Sequence, residues 1–408
     1  MERMLGIPIE FANGSEEFRS AAVPRLAYTH HAIDGTVHVP WTGAIDDLPS
    51  GEPPFGTWND LPVLFRTNQG HDLFAGTFYL LSLVNEIGTT DRDDHGRIPA
   101  NALFTVRSGL ADRPVVDEWA MQLAAAIEQC YPSFTGVKRT YRHVVTLDVD
   151  NLLRYAGRPL VRAVGATLND LFRGRLASVA DRWLVRTGAR RDPYLRALDL
   201  IARCSPECDR SILFLLLKGN GAYDHAAHLT PSALHSLGRA RDAGVELGLH
   251  PSYLSSSSVE LLYQESALLK DRLGSDHHLS RQHFLRWNLP GTLRQLSTMG
   301  VTEEHSLGFH DRAGFRAATC TPFLWYDLER EEVSNLMLWP FIAMDSALIE
   351  RQGLDADHVA STMNDFSDRV RAVRGTFVSV WHDRYLSGHA EFAAWPSVFE
   401  QVVRHARR

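Results

Sequence analysis

Lysine, cysteine and long apolar segments are all scarce in this chain of 408 residues. The only lysines are Lys138, Lys218 and Lys270, so a mechanism that depends on a lysine has few candidates. The cysteines are Cys130, Cys204, Cys208 and Cys320. They form no Cys-x-x-Cys pair, and a chain of this length needs no disulfide bonds to fold, which favours a reducing compartment.

The N-terminal segment lacks the basic end and the long apolar stretch of a secretory signal peptide. The longest apolar run, Ile212–Leu217, is far too short to cross a membrane. We therefore expect a cytoplasmic protein without a membrane span. The net charge of -7 and the pI of about 6.2 argue against a nucleic-acid partner.

Two parts of the chain differ in pattern, and the boundary between them is predicted near residue 140. Residues 1–140 are rich in Pro, Gly and Trp and predict a smaller α+β domain. Its predicted strands are Val37–Val39 and Leu61–Phe65, and its predicted helices are Thr77–Glu86 and Asp117–Cys130. Residues 141–408 form the second predicted domain.

In residues 141–408, short apolar runs alternate with longer amphipathic segments. The runs predicted as strands are His143–Val149, Ser211–Leu217, Val245–Leu249, the segment around His283–Leu285, Phe315–Ala318, Leu336–Trp339 and Thr376–Trp381. The predicted helices cover 158–187, 231–243, 258–273, 291–299 and 355–373. This alternation indicates an α/β fold of parallel βαβ units, and about seven such units favour a (β/α) barrel over an open sheet.

Two aspartates lie where the first of these runs ends. In Thr146-Leu-Asp148-Val-Asp150, strand alternation places both carboxylates on one face. Two ionised carboxylates so close together repel each other, whereas a divalent cation on one of them leaves the other free to act as a base. Solvated acids or a helix N-cap are the alternatives for this pattern taken alone.

Histidines end two further runs. His250 follows Val245–Leu249, and His382 ends the last run. Because the carboxyl ends of parallel strands meet at one rim, these imidazoles should lie near Asp148 and Asp150. Imidazole and carboxylate together suit a borderline metal, and a histidine that is not a ligand suits a general acid. A lone histidine is more often a hydrogen-bonded structural residue.

The segments TLDVDN, GLHPSY, RQHFLRW, GFRAATCTPF, PFIAMD and VWHD follow one another between about residues 140 and 390. In this order they resemble a divergent branch of the polysaccharide deacetylases. The stretches FYLLSLVNE and DRDDHGRIPA resemble the domain that precedes the barrel in that branch. The resemblance implies a distorted (β/α) barrel with an extra N-terminal domain, and a divalent metal that helps to remove an acyl group from a carbohydrate.

The resemblance also implies catalytic roles for four residues. Asp148 would be the general base, and Arg316 would pair with it and hold it ionised. His382 would protonate the leaving amine, and Asp345 would orient His382. A base that must be ionised and an acid that must be protonated predict a bell-shaped dependence of activity on pH.

The metal ligands implied by the resemblance are Asp150 and His250, with zinc as the expected ion. The family usually has another histidine four residues after the first, and here that position is Leu254. His283, near a predicted strand end, is the preferred third ligand. The alternatives are His225 and His228.

The expected substrate is an N-acetylated amino sugar, in a glycoside or a glycan precursor, and the sequence leaves open whether it is a polymer or a small molecule. One alternative is a phosphatase of the haloacid dehalogenase type, which would use Asp148 and Asp150 with a lysine such as Lys218. A nucleotide-sugar glycosyltransferase and a carbohydrate-binding barrel without catalysis are the others.

Overall fold

The computed structural model describes residues 2–49, 51–134, 139–219, 221–276 and 278–408. Up to residue 134 the strands are β1 (Leu26–Thr29), β2 (Val37–Pro40), β3 (Phe55–Trp58), β4 (Leu61–Leu64), β5 (Arg66–Thr67) and β6 (Gly70–His71). The helices are α1 (Glu2–Leu5), α2 (Ser15–Ser20), α3 (Leu73–Leu81), α4 (Phe104–Arg107) and α5 (Val115–Cys130). Short 3-10 turns cover Val84–Glu86, Ala100–Ala102 and Leu110–Asp112.

Helix α5 connects this N-terminal part to the remainder of the chain. Its Trp119 side chain is buried in an apolar cluster formed largely by α3, β4 and α5. On the same helix, the buried Asp117 accepts hydrogen bonds from the backbone N–H of Cys320 at 2.9 Å and from Thr319 Oγ1 at 2.7 Å. Asp117 also pairs with Arg139. A buried carboxylate with this many donors holds the two parts of the chain together.

From residue 139 onward, strands alternate with helices. The strands are β7 (Arg142–Val149), β8 (Arg210–Leu215), β9 (Glu246–Leu249), β10 (Leu279–Ser280), β11 (Glu303–Glu304), β12 (Phe323–Asp327), β13 (Glu332–Leu338), β14 (Ala343–Met344) and β15 (Thr376–His382). The helices are α6 (Leu160–Phe172), α7 (Leu176–Arg186), α8 (Leu195–Cys204), α9 (Pro231–Asp242), α10 (Val259–Leu273), α11 (Gly291–Thr298), α12 (Ala356–Ala372), α13 (Asp383–Leu386) and α14 (Trp395–Arg407).

Strands β7 to β15 form one sheet in the order β12-β13-β11-β10-β9-β8-β7-β15-β14. Neighbouring strands run parallel except β12 and β13, which are antiparallel. In the register of the sheet, Asp148 of β7 is paired with Phe214 of β8 on one side and with His382 of β15 on the other. The predicted α/β class with parallel units is confirmed.

The side chains of β7 divide between two apolar clusters. Val145, Leu147 and Val149 face the larger cluster, which the sheet shares with its helices. Val144 faces a smaller cluster together with Phe214. Because successive side chains of a strand point to opposite faces, Asp148 lies on the face of the smaller cluster.

The sheet curves strongly around the smaller cluster. The ring centroids of Phe214 on β8 and His305 at the end of β11 are 5.1 Å apart, and Arg210 on β8 contacts Glu303 on β11 at 2.6 Å. In a flat sheet, three steps between neighbouring strands would separate such residues by about 14 Å. The face that carries Asp148 is therefore concave, and pairing among the described strands ends at β12 and β14.

Two segments predicted as strands are turns. His283–Leu285 forms a 3-10 turn in which Phe284 and Leu285 have φ angles of 60° and 54°. Phe315–Ala318 also forms a turn, and Ala318 has a φ of 52°. Left-handed backbone cannot continue a strand, so the chain bends at both places. The predicted helical stretch 158–187 is divided into α6 and α7, with Gly174 at a φ of 69° between them.

Candidate metal centre and catalytic site

Asp150, His250 and His283 lie together at the carboxyl ends of three parallel strands of the sheet. Asp150 follows β7, His250 follows β9, and His283 lies in the turn after β10. Nε2 of His250 is 3.2 Å and Nε2 of His283 is 3.6 Å from Oδ1 of Asp150. The three donor atoms lie within 4.8 Å of one another, and both histidines are buried. The sheet thus brings together three side chains that are far apart in the sequence.

The other nitrogen of each imidazole contacts a hydrogen-bond acceptor. Nδ1 of His250 lies 2.5 Å from the carbonyl oxygen of Arg281, and Nδ1 of His283 lies 2.7 Å from Oδ1 of Asp224. Carbonyl and carboxylate oxygens only accept, so Nδ1 carries the hydrogen and donates in both rings. A neutral imidazole in this orientation has its Nε2 lone pair on the side of Asp150.

This donor set fits a divalent cation. Two imidazole lone pairs beside a carboxylate need a proton or a cation between them. Zinc–ligand bonds of about 2.0–2.2 Å imply about 3.4 Å between ligand atoms of a tetrahedron, close to the 3.2 and 3.6 Å between Asp150 and the two histidines. Oδ1 of Asp150 is buried without a hydrogen bond of good geometry, which suits an atom that binds an ion. The acceptors on the far nitrogens are typical of metal-binding histidines.

Asp148 is held by Arg281 and not by Arg316. Nη1 of Arg281 donates to Oδ1 of Asp148 at 2.9 Å and to Oγ1 of Thr146 at 2.6 Å, and both charged side chains are buried. Arg316 instead donates to the two carboxylate oxygens of Glu86, at 2.8 and 2.6 Å. Asp148 therefore pairs with Arg281 instead of the predicted Arg316. Arg316 lies in a turn packed against the N-terminal part, where it pairs with Glu86.

His382 lies beside Asp148, its partner in the register of β7 and β15. Nδ1 of His382 donates to Oδ1 of Asp345 at 2.6 Å, and the backbone N–H of His382 donates to Oδ2 at 2.7 Å. Burial alone would lower the pKa of His382, but the carboxylates of Asp345, Asp150 and Asp148 raise it to about 9. The imidazole is therefore protonated at neutral pH, as a proton donor must be.

Carboxylates outnumber fixed positive charges around these residues. The buried carboxylates are Asp148, Asp224, Asp345 and Asp383. Burial alone would raise the pKa of Asp150, but His283, His250 and His382 hold it well below its usual value. Burial and the negative charge of Asp150 raise the pKa of Asp383 well above its usual value. Even with Asp383 neutral, the carboxylates of Asp148, Asp150, Asp224 and Asp345 outnumber the guanidinium of Arg281, so the site attracts cations.

Aromatic side chains border the site next to His283. The ring centroids of Tyr223 and Tyr253 are 4.5 Å apart, and Phe284 lies 5.3 Å from Tyr223 and 4.7 Å from His283. His95, from the N-terminal part, lies 4.7 Å from Phe284, and its Nδ1 is 3.2 Å from the hydroxyl of Tyr253. We call His95, Tyr223, Tyr253 and Phe284 the aromatic wall. Half of Tyr223 is exposed, so the wall has a face open to solvent.

Two residues of this site, Arg281 and Asp224, were not predicted from the sequence. Arg281 lies two positions before His283 in the segment RQHFLRW, and extended backbone would have placed both side chains on one face. Asp224 lies directly before His225, in the segment that supplies the alternative third ligands. His225 and His228 themselves are exposed, and the cluster of donors described above does not contain them.

Comparison with family models gives a match in the N-terminal part. A model of a family of unknown function, DUF7033, matches residues 1–132. Among curated proteins, none matches the chain.

Solved structures give a likeness over a larger share of the chain. A candidate polysaccharide deacetylase from Mycobacterium smegmatis matches with 16% identity and a TM-score of 0.40, over 65% of this chain and 84% of its own. A family 4 carbohydrate esterase from Streptomyces lividans, solved with acetate, matches with 10% identity and a TM-score of 0.31, over 65% and 87%. The Xyl-CE4 domain of a multidomain xylanase from the hindgut metagenome of Trinervitermes trinervoides matches with 10% identity and a TM-score of 0.31, over 65% of this chain and 82% of its own. Likeness at this level does not define a fold.

Proposed function

We propose that this protein is a metal-dependent hydrolase that removes an N-acetyl group from an amino-sugar-containing substrate. The proposal rests on one observation, that three groups of side chains lie close together at one end of the sheet. These groups are a set of three metal-ligand donors, a buried carboxylate paired with arginine, and a protonated histidine paired with aspartate. Amide hydrolysis needs an electrophile, a base and an acid at one place, and the three groups correspond to these needs.

Asp150, His250 and His283 would hold the ion, and zinc suits two imidazoles and a carboxylate. When bound, a divalent cation polarises the amide carbonyl, lowers the pKa of water and stabilises negative charge on oxygen. Asp224 and the backbone carbonyl of Arg281 orient the two imidazoles so that Nε2 is available to the ion.

Asp148 would act as the general base. Its pairing with Arg281 fixes the direction of the carboxylate, since Arg281 is itself held by Thr146 and by the carbonyl of His305. Asp148 would take the proton of the attacking water. His382, oriented by Asp345, would then donate its Nε2 proton to the nitrogen of the leaving amine.

The aromatic wall would contact the substrate, because the flat faces of aromatic rings pack well against apolar faces of sugar rings. We further propose that residues 1–140 form an accessory domain, whose His95 contributes to this wall. Residues 141–408 would then be the catalytic domain, with the concave sheet as a distorted barrel. A cytoplasmic location stays a prediction.

Acetate release is the direct test of this proposal. Purified protein with zinc should release acetate from N-acetylated amino-sugar substrates, and removal of the ion with a chelator should lower the rate by about 10³-fold or more. Zinc added back should restore the rate. Release of phosphate from phosphorylated substrates, with no acetate from acetylated ones, would favour the phosphatase alternative and contradict the proposal. Lys218, which that alternative needs, hydrogen-bonds to Gln264.

The pH dependence follows from the raised pKa of His382. Because its folded-state pKa is raised to about 9, the imidazole keeps its proton through neutral pH and loses it as the pH rises through that value. We expect kcat/KM to fall above pH about 9. Asp345→Asn removes the carboxylate that raises this pKa, so the fall should begin at a lower pH. A variant profile that coincides with the wild-type profile would exclude His382 as the acid.

A further inference from the structure

Helices α6 and α7 pack against each other as a hairpin whose apolar side chains point to solvent. The exposed apolar side chains on α6 and at the start of α7 are Leu160, Val161, Val164, Leu168, Leu171, Phe172 and Leu176. Val161 is 83% exposed and Phe172 is 95% exposed. On α6 they recur at intervals of three or four residues, along 160-164-168-172 and along 161-164-168-171, so they form one stripe along the helix. A contiguous apolar surface of this kind marks an interaction site.

The hydrophobic stripe is held outward by polar contacts on the inner side of the hairpin. Asp170 of α6 and Arg182 of α7 are buried and form an ion pair. Arg182 also donates to Oγ1 of Thr167 at 3.1 Å and lies 5.4 Å from the centre of the Tyr155 ring. Turning the stripe inward would break this pair and leave charges buried alone, which is costly. The buried ion pair therefore fixes the orientation in which the apolar face of the hairpin is exposed to solvent.

The hairpin is also basic, although the chain as a whole is acidic. Helices α6 and α7 with the turn between them contain five arginines and two aspartates, and neither lysine nor glutamate, which gives a charge of +3. The whole chain has a net charge of -7. Arg162, Arg173 and Arg175 are exposed, and the last two flank Gly174 in the turn beside Phe172. The hairpin thus exposes both apolar and cationic groups to solvent.

We propose that this hairpin docks on an anionic lipid surface. Apolar side chains would enter the boundary between headgroups and acyl chains, and the arginines would contact the anionic headgroups. A second copy of the chain is less suitable, because a symmetric contact would place one basic surface against another. Neither helix could span a bilayer of about 30 Å, since 13 residues extend only about 20 Å. In the described part of the chain, no helix is long and apolar enough to cross a membrane.

Docking would also orient the candidate site. The loop between β7 and α6 carries Asn151, whose Oδ1 accepts from Arg158 Nη2 at 3.3 Å and whose backbone N–H donates to Asp383 Oδ2 at 2.8 Å. The hairpin therefore follows the loop that leaves the carboxyl end of β7, the strand that carries Asp148. If the proposed function holds, on which this step rests, a docked hairpin places the site at the lipid surface and favours an amino sugar linked to a lipid as substrate.

Flotation with vesicles tests the docking. The full chain should float with vesicles that contain phosphatidylglycerol and remain behind with vesicles of phosphatidylcholine alone. Val161→Asp with Phe172→Asp should lower the bound fraction by about tenfold or more, and Arg173→Glu with Arg175→Glu should have a similar effect. Leu234→Asp, at a 42% exposed position on α9, is the control and should bind like the wild type.

Two outcomes would overturn the docking proposal. One is a failure of the wild type to float with anionic vesicles at low salt. The other is a dimer in sedimentation experiments that Val161→Asp with Phe172→Asp dissociates, without any vesicle binding, which would assign the stripe to a second copy. Acetate release from a water-soluble N-acetylated sugar should be equal in the wild type and this variant. Loss of flotation and loss of deacetylation are thus separate results, and either proposal can fail alone.

Discussion

Asp150→Asn is expected to yield a folded protein that no longer retains a divalent ion. Oδ1 of Asp150 is the atom that faces Nε2 of both His250 and His283. An amide oxygen carries no net charge and binds a divalent cation much less well than a carboxylate does. Metal content, measured on dialysed protein, should fall from about one zinc per chain to nearly none. Acetate release should fall with it, by about 10³-fold or more.

Thermal unfolding separates loss of the ion from loss of the fold. An ion that binds only the native state stabilises it, so added zinc should raise the Tm of the wild type and leave that of Asp150→Asn unchanged. Asp365→Asn, on the exposed side of α12, is the matched control and should keep both the ion and the zinc-dependent Tm. An Asp150→Asn protein that still binds one zinc per chain would contradict the assignment of the three ligands.

Much of the site could be predicted because its chemistry follows strand ends. The runs that end in Asp148 and His382 are strands of the sheet, and their parallel register places these two residues side by side. His382 also contacts Asp345, as the resemblance implies. Alternation along a strand and convergence of strand ends are local and topological rules, so one sequence is enough to apply them.

Arginine partners could not be predicted in the same way. Arg281 lies just before the predicted strand around His283–Leu285 and Arg316 lies within the predicted strand Phe315–Ala318, so either guanidinium could pair with Asp148 by its position in the sequence. Which arginine pairs with Asp148 depends on the position of Glu86, because the buried Arg316 forms its ion pair with this carboxylate of the N-terminal part. Pairing across a domain contact is a property of the three-dimensional packing, which periodicity does not contain.

Sequence periodicity also could not predict which face of helices α6 and α7 is exposed to solvent. An amphipathic pattern over residues 158–187 predicts a helical stretch, and the usual expectation is that its apolar side faces the core. In the structure the buried residues of the hairpin are Ala163, Asp170, Arg182 and Val185, and the apolar stripe is exposed. Amphipathicity gives the two faces of a helix, but the surroundings decide which of them is buried.

Asp148→Asn is expected to keep the metal and lose most of the activity. Asparagine has the same shape and can still accept a hydrogen bond from Arg281, but its amide cannot take a proton from water. General-base catalysis contributes about 10² to 10⁴-fold, so kcat should fall by that amount while KM changes little. Steady-state kinetics with zinc analysis on the same sample would measure both.

Thr146→Val provides the matched control for Asp148→Asn, because it removes another hydrogen bond of Arg281 and leaves the carboxylate in place. If Asp148 is the base, Thr146→Val should lower kcat by far less than Asp148→Asn does. Equal losses in the two variants would mean that Asp148 serves only to hold Arg281. An Asp148→Asn protein without zinc would make Asp148 part of the metal centre, because the loss of activity would then follow the ion and not the missing base.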